Sequence, residues 1–265
     1  MSAENLKPRE GDTPAMRISV CQVRSSDSAE TNLRRIRDIV TGRDADLYLF
    51  PELFLTGYGR RTFDGKELES SFDELESLSR ETGRALVVGM PAASGGRTYN
   101  SLVFFSPEGT VRYDKLYLAN FPPYDEGIFT PGKGPVMAEW EGFRFGLLVC
   151  YDAMFPEVHR WYAVHGADAV LMASASAESS EGAMGTVLPA RSLENTVYTV
   201  FCNNTGEGPA GEYFGGSALF SPLGKVLARA GKGEEVLTAE LTRQEIDSAR
   251  MKRHHLADLR RDIEW

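Results

Sequence analysis

Residues 147–157 read LLVCYDAMFPE. An apolar run ends on a cysteine, and an aromatic, an aspartate and Phe-Pro-Glu follow at once. The run has the length and composition of a buried strand, which places Cys150 at a strand tip. Two readings are open for that thiol. Free cysteine is among the most buried residue types, so Cys150 can be core filling. A thiol at a strand end can equally be a nucleophile, provided a base lies near it.

Working outward, FRFGLLVC (143–150) reads as the strand, and PEVHRWYAVHGA (156–167) as a helix with Pro156 in its first turn. DAVLMAS (168–174) is a strand, and MGTVLPARSLENT (184–196) is helical, with Pro189 near its start. VYTVFCN (197–203), GGSALFSP (215–222), KVLARA and EEVLTAEL read as strands, and TRQEIDSAR (242–250) as a helix. GPAGEYFGG (208–216) lacks the spacing of a phosphate-binding loop and reads as a turn before a strand.

The N-terminal half repeats this alternation. RISVCQV (17–23), DLYLF (46–50) and ALVVGM (85–90) read as strands. Ser28 to Val40 and FDELESLSRETG (72–83) read as helices, the second closed by Gly83. YNSLVFFSPEGTVRYDKLYL (99–118) reads as a hairpin turning at Ser106-Pro107-Glu108-Gly109. Strands alternating with helices, plus antiparallel hairpins, predict an α/β layered architecture with two packed sheets.

Composition bounds the function. The chain has 265 residues, 42% hydrophobic and 25% charged, ordinary for a globular protein. We expect a disordered extension over 1–15 and a single domain over 16–265 with a C-terminal tail. A net charge of −9 without a basic face argues against nucleic-acid binding. No window approaches the 18 or so apolar residues of a membrane span, and the polar N-terminus lacks a signal-peptide core. Three widely spaced cysteines, Cys21, Cys150 and Cys202, suit reduced thiols in a cytoplasmic setting.

Three reactive side chains stand at strand ends. Glu52 follows Leu-Tyr-Leu-Phe-Pro, Lys115 closes the hairpin, and Cys150 follows Leu-Leu-Val. Ligands of layered α/β folds bind beyond the carboxyl ends of strands, so the three could meet at one rim. Each alone could instead be a solvated charge or a core thiol. No histidine is placed to serve Cys150, since His159 and His165 share no helix face and His254 and His255 sit in the tail. A Cys-His protease or a zinc site therefore has little support, and no metal is expected.

PELFLTGY (51–58), YDKLYL (113–118) and CYDAMFPE (150–157) together resemble the nitrilase superfamily of carbon–nitrogen hydrolases. YNSLVFFSPEG at 99–109, FTPGKG at 129–134, ARSLENTVYTVFCN at 190–203 and FGGSALFSPLGKVL at 214–227 extend the resemblance from Met16 to about Ile263. It implies a four-layer αββα sandwich and a Glu-Lys-Cys triad. Glu52 would be the general base, Cys150 the nucleophile that forms a thioester, and Lys115 the oxyanion donor, helped by the backbone N–H of Tyr151. A cation beside the thiol would lower its pKa. A second acid is expected at Glu126, with Asp125 as its rival, to position Lys115. The family often has histidine two residues after the lysine, where this chain has Tyr117.

Tyr58, Tyr151 and Phe155 are expected to line the substrate pocket. Tyr151-Asp152 after the thiol resembles amidase-type members, whereas nitrilases more often show Trp-Glu. The resemblance thus implies hydrolysis of a small linear amide, without a cofactor, by a homodimer. Leu256, Leu259, Ile263 and Trp265 in the tail are the apolar residues that would pack in such an assembly. Alternatives are a carbamoyl-amine hydrolase or a nitrilase. From other classes come a non-catalytic scaffold and a redox-sensing thiol protein pairing Cys150 with Cys202.

Overall fold

The computed structural model describes residues 15–260. Two six-stranded sheets face each other, and helices cover both outer faces. The first sheet is built from β1 (Ala15–Gln22), β2 (Leu47–Leu49), β3 (Ala85–Ser94), β4 (Arg97–Ser106) and β5 (Gly109–Asp114). The second holds β6 (Met137–Trp140), β7 (Phe143–Val149), β8 (Ala169–Ser174) and β9 (Tyr198–Asn203). A small hairpin, β10 (Thr205–Gly208) and β11 (Gly211–Phe214), stands apart from both. β12 (Ala218–Phe220) and β13 (Val226–Arg229) finish the second sheet, and β14 (Glu235–Thr242) returns to the first.

The strand orders are β14-β1-β2-β3-β4-β5 and β13-β12-β9-β8-β7-β6. Each sheet has a parallel central trio, β1-β2-β3 in one and β7-β8-β9 in the other, flanked by antiparallel strands. Parallel strands point their carboxyl ends the same way, so the tips of β2, β7 and β8 supply one rim. β14 pairs with β1 along its whole length, from Ala15↔Thr242 to Gln22↔Glu235, and ties the two ends of the domain together.

Helices α1 (Ala29–Gly42) and α2 (Gly65–Thr82) lie on the first sheet; α3 (Pro156–Val164) and α4 (Glu181–Asn195) lie on the second. Helix α5 (Arg243–Lys252) follows β14. Ser28 caps α1 by accepting from Thr31 N–H, and Asp64 caps α2 by accepting from Lys66 N–H. Gly83 ends α2 in the left-handed region at φ 68°, where a Cβ would be strained. Between the sheets lies a core of alternate strand residues, with Phe104 of β4 stacked on Phe145 of β7 at 5.7 Å. Outside it, Ile36 and Leu75 seal α1 and α2, and Tyr162 and Leu188 seal α3 and α4. Each such fully buried side chain contributes about 1.5–3 kcal/mol. The layering is the expected αββα sandwich.

Differences from the sequence reading have local causes. Helix α2 begins at Gly65, ahead of the apolar periodicity that starts at Phe72. Helix α4 begins at Glu181, which puts Pro189 inside it rather than near its start. β5 ends at Asp114 instead of running to Leu118. The segment read as a turn before a strand contains the arm β11, paired with β10 across Pro209-Ala210. β6 has no counterpart in the sequence reading. The disordered extension expected over 1–15 lies outside the described residues except for Ala15, which opens β1. Of the tail residues, Leu256 is buried against the α3–α4 cluster of its own chain and Leu259 is exposed; Ile263 and Trp265 lie outside the described residues. Among the described residues no helix is long and apolar enough to cross a membrane.

Candidate active site

Glu52 sits just past β2, on a turn whose next residue, Leu53, has φ 49°. The turn presses on Gly89 of β3: a Cβ there would lie 2.2 Å from the Pro51 carbonyl and 2.7 Å from Glu52 Cα. Glu52 is fully buried. Its Oε1 accepts from Lys115 Nζ at 2.7 Å and Asn100 Nδ2 at 2.8 Å, and its Oε2 accepts from the Ala175 N–H at 2.9 Å. Burial pushes its pKa up to about 7, against the pull of Lys115.

Lys115 follows β5, held by its N–H on the Asn100 carbonyl and its own carbonyl on Gly132 N–H. Its ammonium is fully buried and bridges two carboxylates, Glu52 at 2.7 Å and Glu126 at 2.6 Å. Burial alone would drive the proton off. Glu52 and Glu126 outweigh it and hold the lysine pKa above its usual value. Glu126 is buried too: Oε1 also accepts from Tyr58 Oη at 2.9 Å, and Oε2 from Ala119 N–H at 2.8 Å. Its rival Asp125 points away and pairs with Arg61 at 3.0 Å.

Cys150 leaves β7 with φ 46° and opens a 3-10 turn, Cys150–Met154. A non-glycine residue in that region costs of order 1–3 kcal/mol, and such strain clusters at functional sites. The turn is pinned by Asp152, which accepts from Tyr113 Oη at 2.7 Å, Tyr117 N–H at 2.8 Å and Val149 N–H at 3.3 Å. The thiol lies 3.4 Å from Ser176 Oγ, which in turn lies 2.7 Å from Ser174 Oγ. Ala175, between those serines, holds Glu52. The end of β8 therefore ties thiol and carboxylate together. The lowering expected from Lys115 is present but is outweighed. Burial, reinforced by Glu52, outweighs the lysine and pushes Cys150 up to about 12.

A model of the carbon–nitrogen hydrolase family matches residues 17–251. The chain belongs to the carbon–nitrogen hydrolase family. It is 33% identical over 258 residues to an (R)-stereoselective amidase of Pseudomonas sp, covering 92% of each chain. It is 30% identical over 247 residues to a nitrilase of Pyrococcus abyssi, covering 90% of each. Among solved structures it is similar to an amidase from Nesterenkonia sp. AN1 in complex with butyramide, with a TM-score of 0.79 at 28% identity, over 91% of this chain and 96% of that one.

In this carbon–nitrogen hydrolase the other expected pocket residues separate. Tyr58 joins the buried cluster at the rim and bonds Glu126. Tyr151 is half-buried against Phe121, with ring centres 5.0 Å apart. Phe155 packs toward α3 and stacks on Tyr117 at 3.4 Å. Tyr117 thus fills the place of the usual histidine by stacking, while its backbone N–H serves Asp152. The sequence reading gave no role to Asn100, Ser174 or Ser176, and it read Asp152 only as a mark of the amidase-type branch, not as the acceptor that pins the turn. Their roles depend on contacts between segments distant in sequence, Asn100 and Ala175 meeting at Glu52 and Ser176 at Cys150. Among the described residues no cluster of three or more His, Cys, Asp or Glu could hold a metal ion. All three cysteines are free thiols, and Cys202 is engaged with the Cys21 carbonyl at 3.4 Å.

Proposed function

We propose that this enzyme hydrolyses a small linear amide to a carboxylic acid and ammonia through a thioester on Cys150. Glu52 takes the thiol proton as Sγ attacks the carbonyl carbon. With the thiol pKa up to about 12, a standing thiolate is not available, so deprotonation accompanies attack. The oxyanion forms against the Lys115 ammonium and the Tyr151 N–H, in a site dry enough for the charge to matter. Glu52 then passes the proton to the departing nitrogen, the C–N bond breaks, and ammonia leaves. Water attacks the thioester, giving its proton to Glu52; the C–S bond breaks, and the thiol is re-formed with that proton. Glu126 holds Lys115 in place as a positioning residue.

The observation that carries this reading is the delivery of carboxylate, ammonium and thiol by three strand ends of two sheets to one buried spot. An amide rather than a nitrile is favoured by the Tyr151-Asp152 pair after the thiol and by the likeness to two amidases. A homodimer, with the C-terminal tail at its contact, remains part of the proposal; light scattering should give about twice the 29.2 kDa chain mass. The substrate test is kcat/KM for propionamide, its nitrile, a glutamine-like ω-amide and carbamoylputrescine, side by side. Preference for an amide is expected; preference for the nitrile would overturn the assignment, and preference for the carbamoyl compound would replace it.

A further inference from the structure

The hairpin β10–β11 carries one side chain that the mechanism leaves unused. Tyr213 is 4% exposed, and its hydroxyl has no hydrogen-bond partner among the described residues. A buried hydroxyl left without a partner is costly, so the position calls for a reason. The ring lies on Gly208 across the hairpin, where a Cβ would meet Tyr213 Oη at 2.2 Å. Glycine there makes the room that the phenol fills. Tyr213 also bridges to Ala177, one residue past the serine that touches Cys150.

Its surroundings place it at the reacting groups. It shares a buried cluster with Tyr58, Tyr124, Ala175 and Leu53. The other two phenols there are engaged: Tyr58 with Glu126 at 2.9 Å, and Tyr124 with Ala177 N–H at 3.0 Å. Burial, then the nearby charges of Glu52 and Cys150, push the Tyr213 pKa up. The phenol therefore keeps its proton and can donate. Tyr58 and Tyr213 also line a cavity of about 530 Å³ with the polar Arg24, Ser26 and Asn204; Glu52, Lys115 and Cys150 are not among its lining residues.

We infer that Tyr213 is a specificity-determining residue whose hydroxyl donates to an acceptor oxygen on the acyl chain of the substrate, so that oxygen-bearing acyl amides are preferred to plain alkyl amides. The inference rests on the amide reading above and narrows its substrate class. It explains why a buried phenol stands unpaired in the cluster that holds Tyr58 and Ala175.

The test compares butyramide with its 2-, 3- and 4-hydroxy derivatives in wild type and in Tyr213→Phe. The readout is the ratio of kcat/KM for each hydroxyamide to that for butyramide. Wild type should favour at least one hydroxyamide, and Tyr213→Phe should reduce that ratio by about tenfold or more, the value of one lost hydrogen bond in a dry site. The same four compounds are titrated calorimetrically into Cys150→Ala and Cys150→Ala/Tyr213→Phe. This reads the preference as a ratio of Kd values without turnover. Amides that bind with the expected ratio but are not hydrolysed would sink the amidase reading and leave this inference standing. No hydroxyamide favoured by wild type, or ratios unmoved by Tyr213→Phe in both measurements, would overturn it.

Discussion

Lys115 Nζ lies 2.6 Å from Glu126 Oε1, and neither side chain reaches solvent. A buried ion pair gains little over an apolar pair, yet breaking one by removing a single partner is costly. Glu126→Ala should lose about 3 kcal/mol in urea unfolding, and kcat should fall steeply because Lys115 turns wholly to Glu52. Glu126→Gln keeps an acceptor oxygen and should lose less of both. Equal stability of Glu126→Ala and wild type would mean that the lysine finds its charge balance elsewhere.

The acid limb of activity should report Glu52. Burial raises its pKa to about 7, and only the ionised form can accept the thiol proton. Activity should therefore rise with pH through about 7 and be lost below it. Asn100 donates to Glu52 Oε1 and favours the ionised form. Asn100→Ala should move the limb to higher pH. A limb that stays in place, or moves down, would assign the titration to another group.

His159 is buried in α3 with neither ring nitrogen bonded among the described residues. Burial, aided by Arg191, lowers its pKa to about 3. In the unfolded chain it takes up a proton below about 6.5, while the folded chain excludes it. Its contribution to stability is thus present above that pH and is lost as pH falls toward 3. Between pH 6.5 and 5 the loss is about 2 kcal/mol. His159→Phe should flatten the fall in urea stability over that range, and an unchanged slope would show that His159 is protonated in the fold.

Gly89 is where the first sheet touches the Glu52 turn. Gly89→Ala should displace that turn, because the added carbon would meet the Pro51 carbonyl and Leu53 N. Loss of both stability and kcat is expected, whereas Gly95→Ala, with nothing near its Cβ site, should spare kcat. Normal turnover in Gly89→Ala would show that the turn can yield without moving the carboxylate.

Strand-end logic singled out Glu52, Lys115 and Cys150 as side chains that could meet at one rim, and the family resemblance gave them their expected roles. LYLFPE and LLVC mark a reactive side chain where a buried run stops, DKL marks one at the end of a hairpin strand, and the alternation of strands and helices pointed to the layers. Glu126 was readable only through the family resemblance; the choice between it and Asp125 needed the loop to fold, because both are acids in a polar segment. The β10–β11 hairpin stayed hidden because Gly206, Gly208 and Gly211 erase the alternation that marks a strand. With it went Tyr213, whose place in the cluster with Tyr58 and Ala175 depends on packing alone. The lysine that lowers the thiol pKa is visible in sequence, but the burial that outweighs it is not.

The central claim is that Cys150 carries the acyl group. Wild-type enzyme turning over saturating propionamide is quenched in acid within the first turnovers, digested and weighed by mass spectrometry. The peptide containing Cys150 should gain the mass of one propionyl group in exchange for one hydrogen. Product forming while that peptide stays unmodified, or the acyl group appearing on any other residue, would contradict the account.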